Sequence, residues 1–398
     1  MKTLNGEVMI CGGGISGLAA AVAAARAGAR VHIIEEDGTI GGAAADQYIQ
    51  SFCGGPAQGI YAELIERMKR YADEDCRPGS FRYASLILSY RDMFSGYPVE
   101  IHTGQKIIHT DVRNGVLRAV ETAECRFEGG VFIDATGDGN VAAMADCPFR
   151  FGREAADEFH EKFAPAVKDN KVQRCTLMYT VQRDPKAEYV EITRGMAQFN
   201  KNEGLCWGPT VFCEDTTSAD ALSKAYQQAL SMMPEHVKKW KEKGFFISGI
   251  APKIGVRESR RIEGLHILSY NDVMGRRRYP DGICVVNYNI DPWDPDGNPV
   301  HHAATLDSTV VPDYEIPYSC LVNGHIHNLI VAGRCISSTH VVNASLRVMG
   351  IAIPVGQAAG NAAAIAARTG KAARDIDISL LRQMQRDGKV RVSLAEEI

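Results

Sequence analysis

Apolar and polar positions change pattern several times in the first sixty residues. Val8–Cys11 is an apolar run, Gly12–Gly17 is glycine-rich, Leu18–Ala27 is alanine-rich with helical character, and Gly28 is placed to stop it. A second apolar run, Val31–Ile34, ends in Glu35-Glu36. Strand, turn, helix and strand make a βαβ unit, which implies a parallel sheet. Gly41-Gly42 opens a loop to Pro56, and Ala57–Tyr71 and Leu86–Met93 are predicted helices. From Val99 to Phe127, short β-like runs broken at Thr103-Gly104 and Asn114-Gly115 predict a small antiparallel meander. The apolar strand Val131–Ala135 then ends in Thr136-Gly137-Asp138-Gly139.

From about Phe149 to Tyr318 the character changes. Helical segments (Ala219–Met233, Pro234–Lys243) mix with strand-like runs (Thr176–Val181, Ile283–Tyr288), and the loop Asp291–Pro299 is rich in Pro, Asp and Gly. Asn328–Ala332 resumes a buried strand, a long Ala/Gly helix follows to about Ala367, and a peripheral helix ends the chain. The expected organisation is a discontinuous dinucleotide-binding domain, 1–148 with 319–398, and a substrate or cap domain, 149–318, inserted into it.

Composition narrows the classes. At 398 residues, 45% hydrophobic and 23% charged, the chain can bury a large core. A formal net charge of −4 gives no general reason to expect nucleic acid or an anionic membrane. Eleven cysteines are scattered with no CxxC pair, which argues against a zinc ribbon, a clustered iron–sulfur site and a CxxC dithiol. No metal is expected. An odd cysteine count without a secretion signal reads as reduced thiols in a cytoplasm. Val348–Ala367 is interrupted by Pro354, Gln357 and Asn361 and suits a packed helix better than a membrane span.

Gly12, Gly14 and Gly17 fit G-x-G-x-x-G. The pattern alone is weak among 38 glycines. Its context is the specific part: it follows a strand, opens a helix, and an acid, Glu35, ends the next strand. The first glycine permits a tight turn, the second a close pyrophosphate, the third close helix–strand packing. The helix N-terminus, with Ile15 and Ser16, offers N–H donors to the phosphates. Glu35, with Glu36 beside it, would accept hydrogen bonds from ribose hydroxyls and repel a 2′-phosphate. Glycines turning without a ligand are the bland alternative.

Further segments carry a resemblance. These are Gly41-Gly42, Ile133–Gly139, Gly255–Ile262, Asn328–Ser337, and Arg347–Gly350 through Gly356–Gly360. With them the chain resembles the FAD-dependent oxidoreductase family of the glutathione-reductase-like (GR2-type) FAD/NAD(P)-binding superfamily over nearly its whole length. The resemblance implies bound FAD and redox chemistry on a small molecule. Carried over by position, it implies that Gly12–Gly17 hold the pyrophosphate and that Gly42 and Ala43 lie near the ribityl–phosphate region. Ile107, in the first meander strand, would meet the adenine through its backbone, while Ala135, Thr136 and Gly137 flank the adenosine side. Gly333 would approach the ribityl chain. The wider superfamily has Asp after that glycine; Arg334 stands here, cannot accept a hydrogen bond, and would turn to pyrophosphate instead. Gly350, Pro354 and Val355 would mark the start of a helix, with Pro354 at its first position, whose dipole faces the flavin pyrimidine.

Catalytic candidates are Arg257, Arg260, His340, Tyr318 and Arg347. If the Arg257–Arg261 run is an extended strand, Arg257 and Arg261 share one face and Arg260 takes the other. One arginine would face the flavin or clamp an anionic substrate, against a structural ion pair with Glu258. His340 suits the base for a proton accompanying hydride transfer, against a satisfied core histidine. Tyr314 or Tyr318 and His301-His302 are weaker candidates. Cys53 could lie near the flavin. The Asp291, Asp294, Asp296 loop lacks EF-hand spacing and reads as a solvated turn.

The expected fold is α/β: a Rossmann-like FAD-binding domain with a parallel central sheet and a small β-meander, plus an inserted mixed α+β substrate domain. The expected function is dehydrogenation or reduction of a small polar metabolite at flavin N5. The alternatives are a flavin monooxygenase and a flavin-binding electron-transfer or regulatory subunit without its own substrate reaction. The electron acceptor or donor is unspecified, and a homo-oligomer is left open.

Overall fold

The computed structural model describes residues 1–72, 79–187, 195–297 and 311–396. His301 and His302 lie outside the described residues. The largest sheet runs β3-β2-β1-β6-β5-β4, from β1 (Lys2–Cys11), β2 (Val31–Ile34), β3 (Val99–His102), β4 (His109–Arg113), β5 (Val116–Glu121) and β6 (Cys125–Asp134). The first four neighbours are parallel, and β4, β5 and β6 form the antiparallel meander. The strand that begins at Val99 therefore extends the parallel sheet and is not the start of the meander. Its residues Val99–His102 take the free edge of Val31–Ile34 one for one. Ile107 accordingly sits before β4, in the link out of β3, where it is buried.

Helix α1 (Ile15–Arg26) follows β1, and α2 (Gly59–Met68) and α3 (Tyr83–Phe94) precede β3. Eleven of the twelve α1 residues are buried, which explains a sequence made almost wholly of small and aliphatic side chains.

The middle of the chain builds a second sheet, β10-β7-β9-β8, from β7 (Cys175–Arg183), β8 (Ala197–Asn200), β9 (Glu203–Val211) and β10 (Phe245–Ile250). Helices α4 (Ala219–Ser231) and α5 (Met233–Lys241) pack on it. The apolar core under this sheet gathers residues from Cys175 to Ile254. Ile262, Leu268 and Ile316 belong instead to the core of the large sheet. The hairpin β11 (Gly282–Val286) and β12 (Tyr314–Pro317) also packs there, so the second core is narrower than 149–318.

The chain then returns. β13 (Leu329–Val331) pairs parallel with the C-terminal half of β6. Helices α6 (His340–Leu346), α7 (Met349–Thr369) and α8 (Ile378–Asp387) close the fold. α7 is long and apolar enough to cross a membrane by length and composition, and 94% of its apolar window is buried inside the fold. It lies against α1 at backbone contact: a Cβ on Gly356 would come 2.2 Å from the Ser16 carbonyl oxygen, and one on Gly360 2.1 Å from that of Ala20. Pro354 does not start this helix. Met349 does, after Val348, so Pro354 lies inside it.

On the outer strands, the nearly coplanar rings of His32 and His102 have centroids 5.2 Å apart and ring nitrogens 2.9 Å apart. These values place the two nitrogens head-on, as in an N–H···N hydrogen bond. Glu100 stands 3.9 Å to the side.

Candidate active site

One cavity of about 1170 Å³ opens between the large sheet and the second core. Gly12, Gly14, Ile15, Ser16, Glu35, Glu36, Gly42 and Ala43 line its wall on the βαβ unit. The glycine turn is as tight as its spacing implies. Gly12 has φ +105°, and a Cβ on Gly17 would come 2.0 Å from the Gly12 carbonyl oxygen, so Gly17 packs helix to strand and does not line the cavity. Around Gly14 there is open space.

Gly14 caps α1 without a side-chain bond, and the Leu18 amide is the first to bond back, to the Gly14 carbonyl at 2.9 Å. The helix itself gives the amides of Ile15, Ser16 and Gly17 no partner; a parallel bridge between Gly14 and Gly41 turns the Ile15 amide toward the Gly41 carbonyl, and of the other two residues Ser16 lines the cavity. The Ser16 Oγ is also buried without a hydrogen-bond partner. Unmet donors around an open glycine at a helix N-terminus suit a pyrophosphate.

Glu35 ends β2 with its carboxylate accepting the amides of Gly13 (2.6 Å) and Asp37 (2.9 Å). Burial raises its pKa above the usual carboxylate range, against those two bonds. Each oxygen retains a lone pair for a ribose hydroxyl. Lys253 from the second core bonds both oxygens of Asp37 at 2.6 Å and stands 3.1 Å from Asp46, tying the two sides of the cavity together.

Ala135, Thr136 and Gly137 follow β6 on the same wall, and Ile107 lines it as well. The turn is held by buried Asp134, which accepts from the Thr136 amide and hydroxyl and from the Ala142 amide. Gly333 and Arg334 enter from the end of β13. The Arg334 guanidinium pairs with Asp138, while its Nε is buried and unbonded.

The remaining lining includes Arg257, Arg260, Thr176, Tyr288, Asp291, Trp293 and Arg347. The Arg257 guanidinium lies 3.8 Å from the Trp293 ring centre and donates to the Arg174 carbonyl (2.8 Å) and Thr176 Oγ1 (2.7 Å). Burial, then the charge of Arg347, presses its pKa down to about 9, which leaves it cationic at neutral pH. Arg347 donates to the Asp291 carboxylate (3.1 Å) and to Gln173 (3.2 Å). Arg260 bonds Asn140 at 3.0 Å.

The alternation expected for the arginine run does not hold. Residues 257–260 are not a strand; Arg257 and Arg260 both line the cavity. Arg261 turns away into a buried cluster with Glu258 and Glu154. His340 joins that cluster, with Nδ1 2.8 Å from Glu258, and its amide bonds Glu154. It does not line the cavity, because Thr339 caps α6 and sets His340 in the first turn, over Glu258. Tyr318 is a core residue whose hydroxyl donates to the Ala373 carbonyl at 2.8 Å. Tyr314 is likewise buried, bonded to Ser345.

Gly350, Pro354 and Val355 are absent from the lining; Arg347, Val348, Met349 and Ala352 take their place, since the helix begins earlier. Cys53 does reach the cavity. Sequence reasoning missed Trp293, Tyr288 and Thr176. Trp293 stood in the loop read as a solvated turn, and an aromatic among its acids was the available signal.

The chain aligns at low identity with several solved structures. Flavin-dependent brominase Bmp2 matches at 12% identity, TM-score 0.49, over 96% of this chain and 83% of that one. A geranylgeranyl bacteriochlorophyll reductase-like protein from Thermoplasma acidophilum matches at 9%, TM-score 0.47, over 97% and 82%. Anhydrotetracycline hydroxylase OxyS from Streptomyces rimosus matches at 12%, TM-score 0.47, over 97% and 66%. No curated protein sequence matches the chain. The family model for FAD-dependent oxidoreductases matches residues 7–385, so the chain belongs to that family and is an FAD-dependent enzyme.

Proposed function

We propose that this enzyme dehydrogenates or reduces a small polar metabolite held beside Arg257 and Arg347. The observation that carries the reading is continuity: the dinucleotide wall and this polar, partly aromatic wall line one cavity. When bound, FAD supplies a two-electron acceptor or donor at its N5 position.

The chain's own groups hold and orient. The Ser16 amide and hydroxyl would take the pyrophosphate, Glu35 the adenosine ribose, and Ala43 and Gly333 the ribityl region. Arg334, paired with Asp138, would add charge toward the pyrophosphate. Burial raises the pKa of Tyr288, so its Oη keeps its proton at neutral pH and acts as a hydrogen-bond donor. With His340 and Tyr318 outside the lining, Tyr226 and Tyr288 are the tyrosines on it; the Tyr226 hydroxyl already donates to the Ala251 carbonyl, so Tyr288 is the one that would contact substrate.

The first test is an absorbance spectrum with identification of the released cofactor; a purified, folded protein that neither holds nor takes up FAD sinks the reading. Anaerobic titration with hydroxy acids, sugars, amines and enoates follows. Bleaching of the flavin by one compound, or reoxidation of reduced flavin by one, supports it. Hydroxylation coupled to NAD(P)H and oxygen consumption makes the enzyme a monooxygenase instead. Silence across the panel with electron exchange to a partner protein makes it an electron-transfer subunit.

A further inference from the structure

The wall around Arg257 carries an unbalanced charge. Arg257 and Arg347 lie close enough for the second to depress the ionisation of the first. Asp291 is the acid beside them, and its carboxylate is engaged by Arg347. Arg257 makes no ion pair among the described residues: its guanidinium donates to a carbonyl and a hydroxyl, both from Nη1. Among the other cations on the lining, Arg334 pairs with Asp138 and Lys253 with Asp37 and Asp46, while Arg260 bonds the neutral Asn140 side chain and lies near enough to Asp215 to lower that acid's pKa.

Two guanidiniums against one carboxylate leave one excess positive charge in a half-buried site. Such a charge is costly to keep away from water unless an anion joins it. One excess charge matches a monoanion better than a phosphate dianion. The shape agrees. Stacking on Trp293 fixes the plane of the Arg257 fork, and its Nη1 is anchored at two points. That leaves the Nη2 side to meet a planar, two-oxygen acceptor.

We infer that Arg257, fixed by Trp293 and supported by Arg347, binds a carboxylate group of the substrate. The inference rests on reading this part of the cavity as the substrate site. The substrate is thus a small carboxylic acid, with the oxidised or reduced carbon elsewhere in the same molecule.

The test measures binding without turnover. FAD-loaded protein is titrated calorimetrically, at matched ionic strength, with acetate, glycolate, succinate and benzoate. Acetamide, glycolamide, benzamide and inorganic phosphate are the controls. At least one carboxylate is expected to bind one site about 30-fold or more tightly than its amide, the loss that accompanies removal of one partner of a buried charge pair. Arg257→Met is expected to abolish that preference. Arg257→Lys, which keeps the charge and loses the fork, weakens it about tenfold, and Arg347→Lys also weakens it. Flavin content and melting temperature report whether each variant is folded; if Arg257→Met is not, the lysine variants and the wild-type panel decide.

Carboxylates binding no better than amides overturn the inference. So do phosphate binding more tightly than every carboxylate, or a folded Arg257→Met that binds as wild type and shifts only the flavin potential. Tight carboxylate binding with no flavin reduction or reoxidation by any acid keeps the anion site and sinks the redox reading. Turnover of an uncharged substrate with no carboxylate preference does the reverse.

Discussion

Gly360→Ala tests how closely α1, the helix proposed to meet the pyrophosphate, is braced from behind. The new methyl would stand 2.1 Å from the Ala20 carbonyl oxygen, where ordinary contact begins at 3.4 Å. The obstacle is helix backbone, so α1 and α7 must separate locally by about 1.3 Å. Overpacking of this kind costs about 1–3 kcal/mol, and a rigid obstacle puts this site in the upper half of that range. Replacing an interior helical glycine by alanine returns about 0.5–1 kcal/mol. The net expectation is a loss of about 1–2 kcal/mol, seen in a 398-residue chain as a melting temperature lowered by roughly 1–3 °C. Gly356→Ala makes the same intrusion at Ser16, 2.2 Å from its carbonyl oxygen, where the unmet donors face the cavity. Displacing those donors by about 1 Å removes charge-assisted bonds each worth about 1.5–3 kcal/mol. FAD affinity, read by fluorescence titration of the apoprotein, should therefore fall roughly 10- to 100-fold in Gly356→Ala and much less in Gly360→Ala. Equal FAD affinities in the two variants, or a Gly360→Ala protein as stable as wild type, would refute the bracing argument.

Tyr318→Phe should lower stability by about 1 kcal/mol through the lost bond to Ala373 and leave turnover intact, as a melting curve and a kinetic assay will show. Glu258→Gln breaks the buried cluster and should cost about 3–5 kcal/mol in denaturant unfolding. Burial alone would raise the Glu258 pKa, but His340 and Arg261 outweigh it and hold it low. Its contribution is thus present above about pH 4 and lost as pH falls through the folded value, so the variant should lose less stability in acid than wild type does. Asp46 has the opposite sign: burial, against Lys253, pushes it up to about 6. Native protein then binds a proton between about pH 4 and 6 that the unfolded chain lacks, and stability from this group falls as pH rises through that window. Asp46→Asn should flatten that part of the pH–stability curve; an unchanged slope contradicts the assignment.

The parts of the site that rest on local rules were legible in the sequence. The Gly12–Gly17 turn, Glu35 at a strand end and the strand before Thr136 each follow from neighbouring residues, and each took its expected place. Errors came where a distant element decides. Val99–His102 alternates like a meander strand, but the exposed edge of β2 claims it for the parallel sheet. Pro354 resembles a helix start, yet α7 is stable enough against α1 to carry it inside. His340 and the arginine run could not be assigned because one carboxylate decides both. Glu258 draws Arg261 and His340 into the core and leaves Arg257 and Arg260 to the cavity. Trp293 was hidden because stacking on a guanidinium has no spacing rule.

The backbone contact between α1 and α7 joins residues 16 and 20 to residues 356 and 360. During synthesis the ribosome releases the glycine turn more than three hundred residues before its brace. A nascent chain carrying β1, α1 and β2 exposes an almost wholly apolar helix that has nothing yet to pack against. If FAD is held by the wall that α1 begins, its site is complete only once α7 has docked, and free FAD would then stabilise the contact between α1 and α7 by mass action.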